Sequence, residues 1–163
     1  MNANVEQFKA LMSNYPTGVT IVTTMAPDGK PVGLTVNSFA SVSLEPLMVL
    51  WCIGRHASSY ELFQQAPRFA VHLLAAEQKE LCMRFAQKGV DRFAGIAWRV
   101  SENGLPILPD VMGVLECDCV QQVEAGDHLI LVGKVIALQN FDKEPLAYFR
   151  RQVGSLKEIG ELQ

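Results

Sequence analysis

The sequence predicts a mainly β protein, an antiparallel barrel that is closed or nearly closed, carrying a few short helices. At least six segments read as strands, either rich in Val, Ile and Thr or running as short apolar blocks. The strands do not alternate with long helices, and no G-x-G-x-x-G follows the first of them, which argues against a doubly wound parallel sheet and its dinucleotide site. The 163 residues suit one domain over 1–163, with no repeat, linker or low-complexity stretch.

The elements follow in order. MNANVEQFKALMSNYP reads as a short amphipathic helix; it lacks the basic and then apolar regions of a secretion signal. Residues 19–26 form a strand, Pro27-Asp28-Gly29-Lys30 a tight turn, and residues 31–43 the returning strand of a hairpin. The run LMVLWCI (47–53) is a strand buried on both faces, and 58–65 a short helix ended by Pro67. RFAVHLLA (68–75) is another buried strand. Residues 77–87 are helical, with Leu81, Cys82 and Phe85 facing inward, and 88–111 are irregular by their Gly and Pro content. Strands at 114–122 and 128–138 join through Glu124-Ala125-Gly126-Asp127, and 142–156 reads as a terminal helix.

Charge and cysteine usage narrow the function. A net charge of −3 gives no basic footprint for nucleic acid, and no apolar run is long enough for a membrane-spanning helix. The four cysteines form no C-x-x-C pair and read as buried thiols in a reducing cytoplasm. None of the three histidines has metal-ligand spacing, and no Ser or Cys sits in a nucleophile motif, so neither metal nor covalent catalysis is expected.

Three stretches carry candidate chemistry. In GLTVNSFASVS (33–43), Thr35, Asn37, Ser41 and Ser43 share one side of a strand, with hydroxyls and an amide but no charge. Such a face suits a neutral, polar-edged partner better than it suits bulk solvent. In RHASSYE (55–61), Ser58-x-x-Glu61 has capping-box spacing, while the same helix start beside Arg55 and His56 also offers N–H groups to an anion. Gly126-Asp127-His128 is turn chemistry with a histidine at its tip, and His72 reads as structural within its buried strand.

The segments YPTGVTIVTT (15–24), GLTVNSFASVSLEP (33–46), WCIGRHASS (51–59) and GDHLILVGKV (126–135) together resemble the short-chain flavin reductases. Weaker echoes come from FAVHLLAAEQKELCMRFA, RFAGIAW and PLAYFRRQ. These are the NAD(P)H-dependent partners of two-component flavin monooxygenases. The resemblance implies a split, Greek-key β-barrel that holds FMN or FAD at a homodimer interface. It places Thr35, Val36, Asn37 and Ser38 along the flavin ring edge. Trp51, Cys52 and Ile53 would supply backbone and apolar surface beneath the ring, and Ser58 and Ser59, with His56 nearby, would meet the phosphate. His128 would orient the nicotinamide of NADH or NADPH, and Tyr148 would either close over the same pocket or merely pack a helix. The implied reaction is hydride transfer from nicotinamide C4 to flavin N5, with reduced flavin passing to a monooxygenase. An oxidase acting directly on an organic substrate and a non-enzymatic flavin carrier are the alternatives.

Overall fold

The computed structural model describes residues 3–161. Helix α1 (Val5–Ser13) is followed by β1 (Thr17–Gly18), β2 (Thr20–Met25), β3 (Pro31–Val36), β4 (Ala40–Leu44) and β5 (Leu47–Gly54). Then come α2 (Tyr60–Gln65), β6 (Arg68–Leu73), a 3-10 turn at Ala76–Gln78 and α3 (Lys79–Ala86). Short strands β7 (Arg99–Val100) and β8 (Pro106–Ile107) precede the long pair β9 (Gly113–Ala125) and β10 (His128–Asn140). The chain finishes with β11 (Leu146–Phe149), β12 (Gln152–Ser155) and α4 (Leu156–Gly160).

Seven strands form one antiparallel sheet in the order β3-β2-β6-β9-β10-β5-β4. The sheet curls until β3 lies near β5, so the mainly β, nearly closed barrel expected from the sequence is what forms. Period-two alternation builds two cores from the same strands. Val22, Val71, Phe69, Trp51, Ile53, Leu129 and Leu131 fill the barrel interior, while Ile21, Ala70 and Leu74 face outward under Phe85, Phe93, Leu105 and Leu108. β2 and β6 are therefore buried on both faces. Gly133 is required inside: a Cβ there would sit 2.8 Å from Cys117 Cβ and would overlap the Phe69 ring.

His72 ties the two cores together. It is fully buried on β6, with Nδ1 3.1 Å from the Ile21 carbonyl and Nε2 accepting from Leu108 N–H at 3.1 Å. The ring is thus neutral, with its proton on Nδ1. Burial holds its pKa down at about 4, against a weaker opposing effect from the Ile21 carbonyl.

Several elements depart from the sequence reading. The returning strand expected over 31–43 breaks at Asn37-Ser38-Phe39: β3 pairs with β2, and β4 crosses to pair with β5. β5 is not buried on both faces; Val49, Trp51 and Ile53 point inward, whereas Met48, Leu50 and Cys52 are only half-buried. The segment expected as a terminal helix over 142–156 is instead the β11–β12 hairpin, whose β11 also pairs with β1, and only Leu156–Gly160 is helical. A tight turn through Arg150 (φ 48°) and Arg151 (φ 65°) makes that hairpin, and neither residue carries the Gly or Asn signature of a left-handed turn. The irregular stretch 88–111 contains the small β7–β8 hairpin.

Candidate functional site

β3 and the end of β5 bring many of the candidate residues to one side of the barrel. At one end, Ser38 Oγ accepts from Cys52 N–H at 2.9 Å and donates to the Cys52 carbonyl at 3.2 Å. At the other, Gly33 lines a cleft of about 240 Å³ together with Ser58, Ser59, Gly89 and Arg92. From Gly33 to Ser38 the chain spans roughly 16 Å at the usual strand rise.

The cleft carries one cation, Arg92, and one carboxylate, Asp91, beside the two serines. Ser59 occupies the position before α2, yet neither Ser58 nor Ser59 caps it through a side chain, so the Ser58-x-x-Glu61 capping box does not form. Ser59 Oγ is buried and has no hydrogen-bond partner among the described residues. Arg92 donates from Nη1 to the Gly33 carbonyl at 2.8 Å and from Nε to the Gln87 carbonyl at 2.9 Å. Desolvation holds its guanidinium below the usual arginine range, and no carboxylate pairs with it among the described residues. A desolvated cation without a counter-ion, beside a buried hydroxyl without a partner, leaves two costs that one anionic ligand offsets. His56 is exposed and is not among the residues lining this cleft; its charge instead helps lower the Asp127 carboxyl.

The row of neutral polar side chains is largely satisfied by the protein itself. Thr35 Oγ1 donates to the Cys82 carbonyl on α3 at 2.6 Å, and Ser38 is held by Cys52. Val36 packs inward and its carbonyl accepts from Thr20. Asn37 alone of the four is exposed, and its side chain makes no hydrogen bond among the described residues. Trp51 and Ile53 do not offer side-chain surface to a ring outside the barrel. Both point into the interior, where Trp51 meets Phe63 and Phe69 edge-on at 4.9 and 5.8 Å. Strand alternation leaves Cys52 on the other side, its thiol pushed up by burial and so kept protonated at neutral pH.

His128 stands at the start of β10, directly opposite Gly54. Its ring lies over Gly54, where a Cβ would come within 3.5 Å of Nε2. Nδ1 is 2.8 Å from Asp127 Oδ1, and this hydrogen bond with His128 is the main reason the Asp127 carboxyl is held low. Tyr148 lies on β11 opposite Thr17, not on a helix, and shares a separate cleft of about 480 Å³ with Asn37 and α1. His128 is not part of that cleft.

A model of the flavin reductase like domain matches residues 12–157. The chain belongs to the flavin reductase family. It is 43% identical over 136 residues to a probable flavin reductase of Rhizobium meliloti, covering 83% of this chain and 44% of that protein, so it spans less than half of that relative's length. It is 38% identical over 147 residues to the reductase subunit HsaB of a flavin-dependent monooxygenase of Rhodococcus jostii, covering 90% of this chain and 75% of that one. Its fold superimposes with a TM-score of 0.86 on the NADH:FAD oxidoreductase SgcE6 of Streptomyces globisporus, solved with NAD and FAD fragments, at 33% identity and covering 93% and 95% of the two chains.

For a flavin reductase, the residue that the sequence does not reveal is Arg92. Its segment RFAGIAW echoes the family, but a lone arginine in an irregular stretch gives no period or spacing to read. Only folding shows that the 89–92 loop returns to β3 and puts the guanidinium beside Ser58 and Ser59.

Proposed function

We propose that the chain is the NAD(P)H-dependent reductase of a two-component system, supplying reduced flavin to a flavin-dependent monooxygenase. The observation that carries the site assignment is the buried, unpartnered Ser59 Oγ in the cleft with Arg92. In this reading Ser58, Ser59 and Arg92 hold the phosphate of FMN, or the equivalent phosphate of FAD. The strip from β3 to Cys52 then lies along the ribityl chain and ring. Because Thr35 and Ser38 spend their hydroxyls on Cys82 and Cys52, the ring edge is met by backbone groups and by Asn37. When bound, the two cofactors supply the redox chemistry between them, hydride passing from nicotinamide C4 to flavin N5.

The protein's own work is placement. Ser38 locks the 37–39 crossing onto β5, fixing where the β3 backbone presents its N–H groups. Fixed backbone dipoles of this kind favour negative charge without having to reorganise. His128, held by Asp127 and with no partner at Nε2 among the described residues, orients the nicotinamide of NADH or NADPH by hydrogen bonding. Trp51 and Ile53 fill the barrel interior behind the strand, which keeps the β5 backbone rigid.

A homodimer completes this reading. Leu44 is 87% exposed at the sheet edge, and Leu47 and Leu138 are also open, apolar surface that a second copy would cover. No helix among the described residues is long and apolar enough to cross a membrane, and all four cysteines are free, which supports a cytoplasmic location.

The test is a flavin titration by fluorescence with the Ser58→Ala, Ser59→Ala double variant. FMN affinity should fall by about tenfold or more, the size of a missing charged hydrogen bond, while riboflavin, which lacks the phosphate, should bind the variant and the parent alike. Equal losses for FMN and riboflavin would assign the serines to the α2 turn and not to a ligand.

A further inference from the structure

The loop that carries Arg92 to the serine cleft is gripped from α3 by a second arginine. Arg84, in the last turn of that helix, donates from Nε to the Arg92 carbonyl at 3.0 Å. Its Nη2 donates to the Asp91 carbonyl at 3.2 Å and to the Ala94 carbonyl. One guanidinium thus closes on three carbonyls of the stretch 91–94, and it pairs with no carboxylate among the described residues. A planar fork that spends its donors on backbone carbonyls fixes the course of a loop, because its donors keep one geometry and the chain must conform to it.

These bonds are one part of a circuit that begins and ends on β3. Thr35 Oγ1 donates to the Cys82 carbonyl at 2.6 Å, which fastens α3 to β3. Arg84 fastens α3 to the loop. Arg92 then returns to β3, donating from Nη1 to the Gly33 carbonyl at 2.8 Å, while Nε and Nη2 hold the Gln87 carbonyl at 2.9 and 2.6 Å. No helix or strand spans 87–98, and the backbone hydrogen bonds donated there are local, from Gln87 to Arg84 and from Ile96 to Phe93. Phe93 anchors the loop from below, buried edge-on against Phe85 with ring centroids 4.9 Å apart. The apolar anchor keeps the loop on the body, and the two arginines decide where its polar groups stand.

We propose that Arg84 is a positioning residue for the flavin phosphate: it holds the 91–94 stretch so that Arg92 presents its open donors beside Ser58 and Ser59. The inference rests on the phosphate reading above and names the residue that builds the cation into the site. Of the five N–H donors of a guanidinium, Arg92 spends one each at Nε, Nη1 and Nη2 within the protein, and the others are left for a ligand. Arg84 holds the carbonyl of Arg92 itself, so it sets the backbone from which those donors project. It also holds the Asp91 carbonyl, while Asp91 Oδ1 accepts from Phe93 N–H at 3.1 Å. The one carboxylate of the cleft is thereby engaged elsewhere, and the Arg92 charge stays open to an anion.

The experiment titrates FMN and riboflavin by fluorescence in the parent, Arg84→Gln, Arg84→Lys, Arg92→Gln and the Arg84→Gln, Arg92→Gln double variant. Arg84→Gln should weaken FMN about tenfold, the effect of one misplaced charged hydrogen bond, and leave riboflavin in place. Arg84→Lys, which reaches fewer carbonyls at once, should fall between the parent and the Gln variant. In the Arg92→Gln background Arg84→Gln should cost FMN nothing more, because its action runs through Arg92. Equal losses for FMN and riboflavin, as a merely structural arginine would give, overturn the proposal. So do no loss for either flavin, or FMN losses that multiply in the double variant. Amide hydrogen exchange reads the loop with no ligand present: Arg84→Gln should speed exchange at Phe93 and Ile96 while β2 and β6 stay protected, and unchanged exchange refutes the role. If the parent binds FMN no more tightly than riboflavin, the phosphate reading itself fails, and the exchange result still decides whether Arg84 sets the place of Arg92.

Discussion

Acid should loosen this fold through His72 before it titrates most carboxylates. The imidazole is fully buried, and its Nε2 has no room for a proton because it already accepts from Leu108 N–H at 3.1 Å. Its folded pKa of about 4 lies below the 6.5 of an unfolded histidine. The unfolded chain therefore binds the proton more readily, so the contribution to stability is complete above pH 6.5 and is lost as pH falls through 4. A gap of about 2.5 pH units is worth about 3.5 kcal/mol in full, of which about 2 kcal/mol is gone by pH 5. Against a typical total of about 5–15 kcal/mol, that is a visible fraction. Urea unfolding followed by tryptophan fluorescence at pH 7, 6 and 5 measures it, since Trp51 is in the core. His72→Asn keeps a donor and an acceptor but cannot titrate; it should be less stable at pH 7 yet lose less on going to pH 5. Parallel losses in the parent and His72→Asn between pH 6.5 and 5 would refute the assignment.

Two further outcomes follow from the site and the surface. His128→Asn should retain most of the turnover at saturating NADH and raise its KM, because an orienting interaction made equally in the bound and transition states affects binding alone. His128→Ala should go further, yet with a half-exposed ring the rise should stay within about tenfold, the low end for a missing hydrogen bond; steady-state kinetics against NADH, with flavin binding checked separately, decides it. Sedimentation should find a dimer at micromolar concentration, and Leu44→Glu should shift it toward monomer and weaken flavin binding; a flavin-loaded monomer refutes the shared site.

Much of the fold is legible in the sequence because the barrel strands bury residues in patterns that composition reveals. The Pro27–Lys30 turn carries its own signature, and Gly29 takes the positive φ that its position demands. The β9–β10 hairpin shows itself as two long strand-like segments, 114–122 and 128–138, joined through the Gly126 turn. The failures have specific causes. LAYFRRQVGSL reads as a helix because its turn is made by two arginines in left-handed conformations, where no residue type marks a turn. LMVLWCI looks buried on both faces because Met48, Leu50 and Cys52 are apolar yet only half-buried, on a face left open by the single chain.

The site is legible as a set of segments and not as a set of contacts, and the difference lies in what each side chain already touches. The hydroxyls of Thr35 and Ser38 look available on a pleated strand with one polar face. In the fold, α3 and β5 claim them, because an exposed hydroxyl beside an unpaired carbonyl closes a hydrogen bond at little cost. Ser59 runs the other way. The sequence promises a cap at Ser58; the helix starts one residue later, which puts Ser59 at the N-cap position, yet its side chain makes no cap hydrogen bond and the hydroxyl is left buried without a partner among the described residues. A polar atom without a partner, next to a cation without a counter-ion, is a stronger pointer to a ligand than any number of polar residues along a strand.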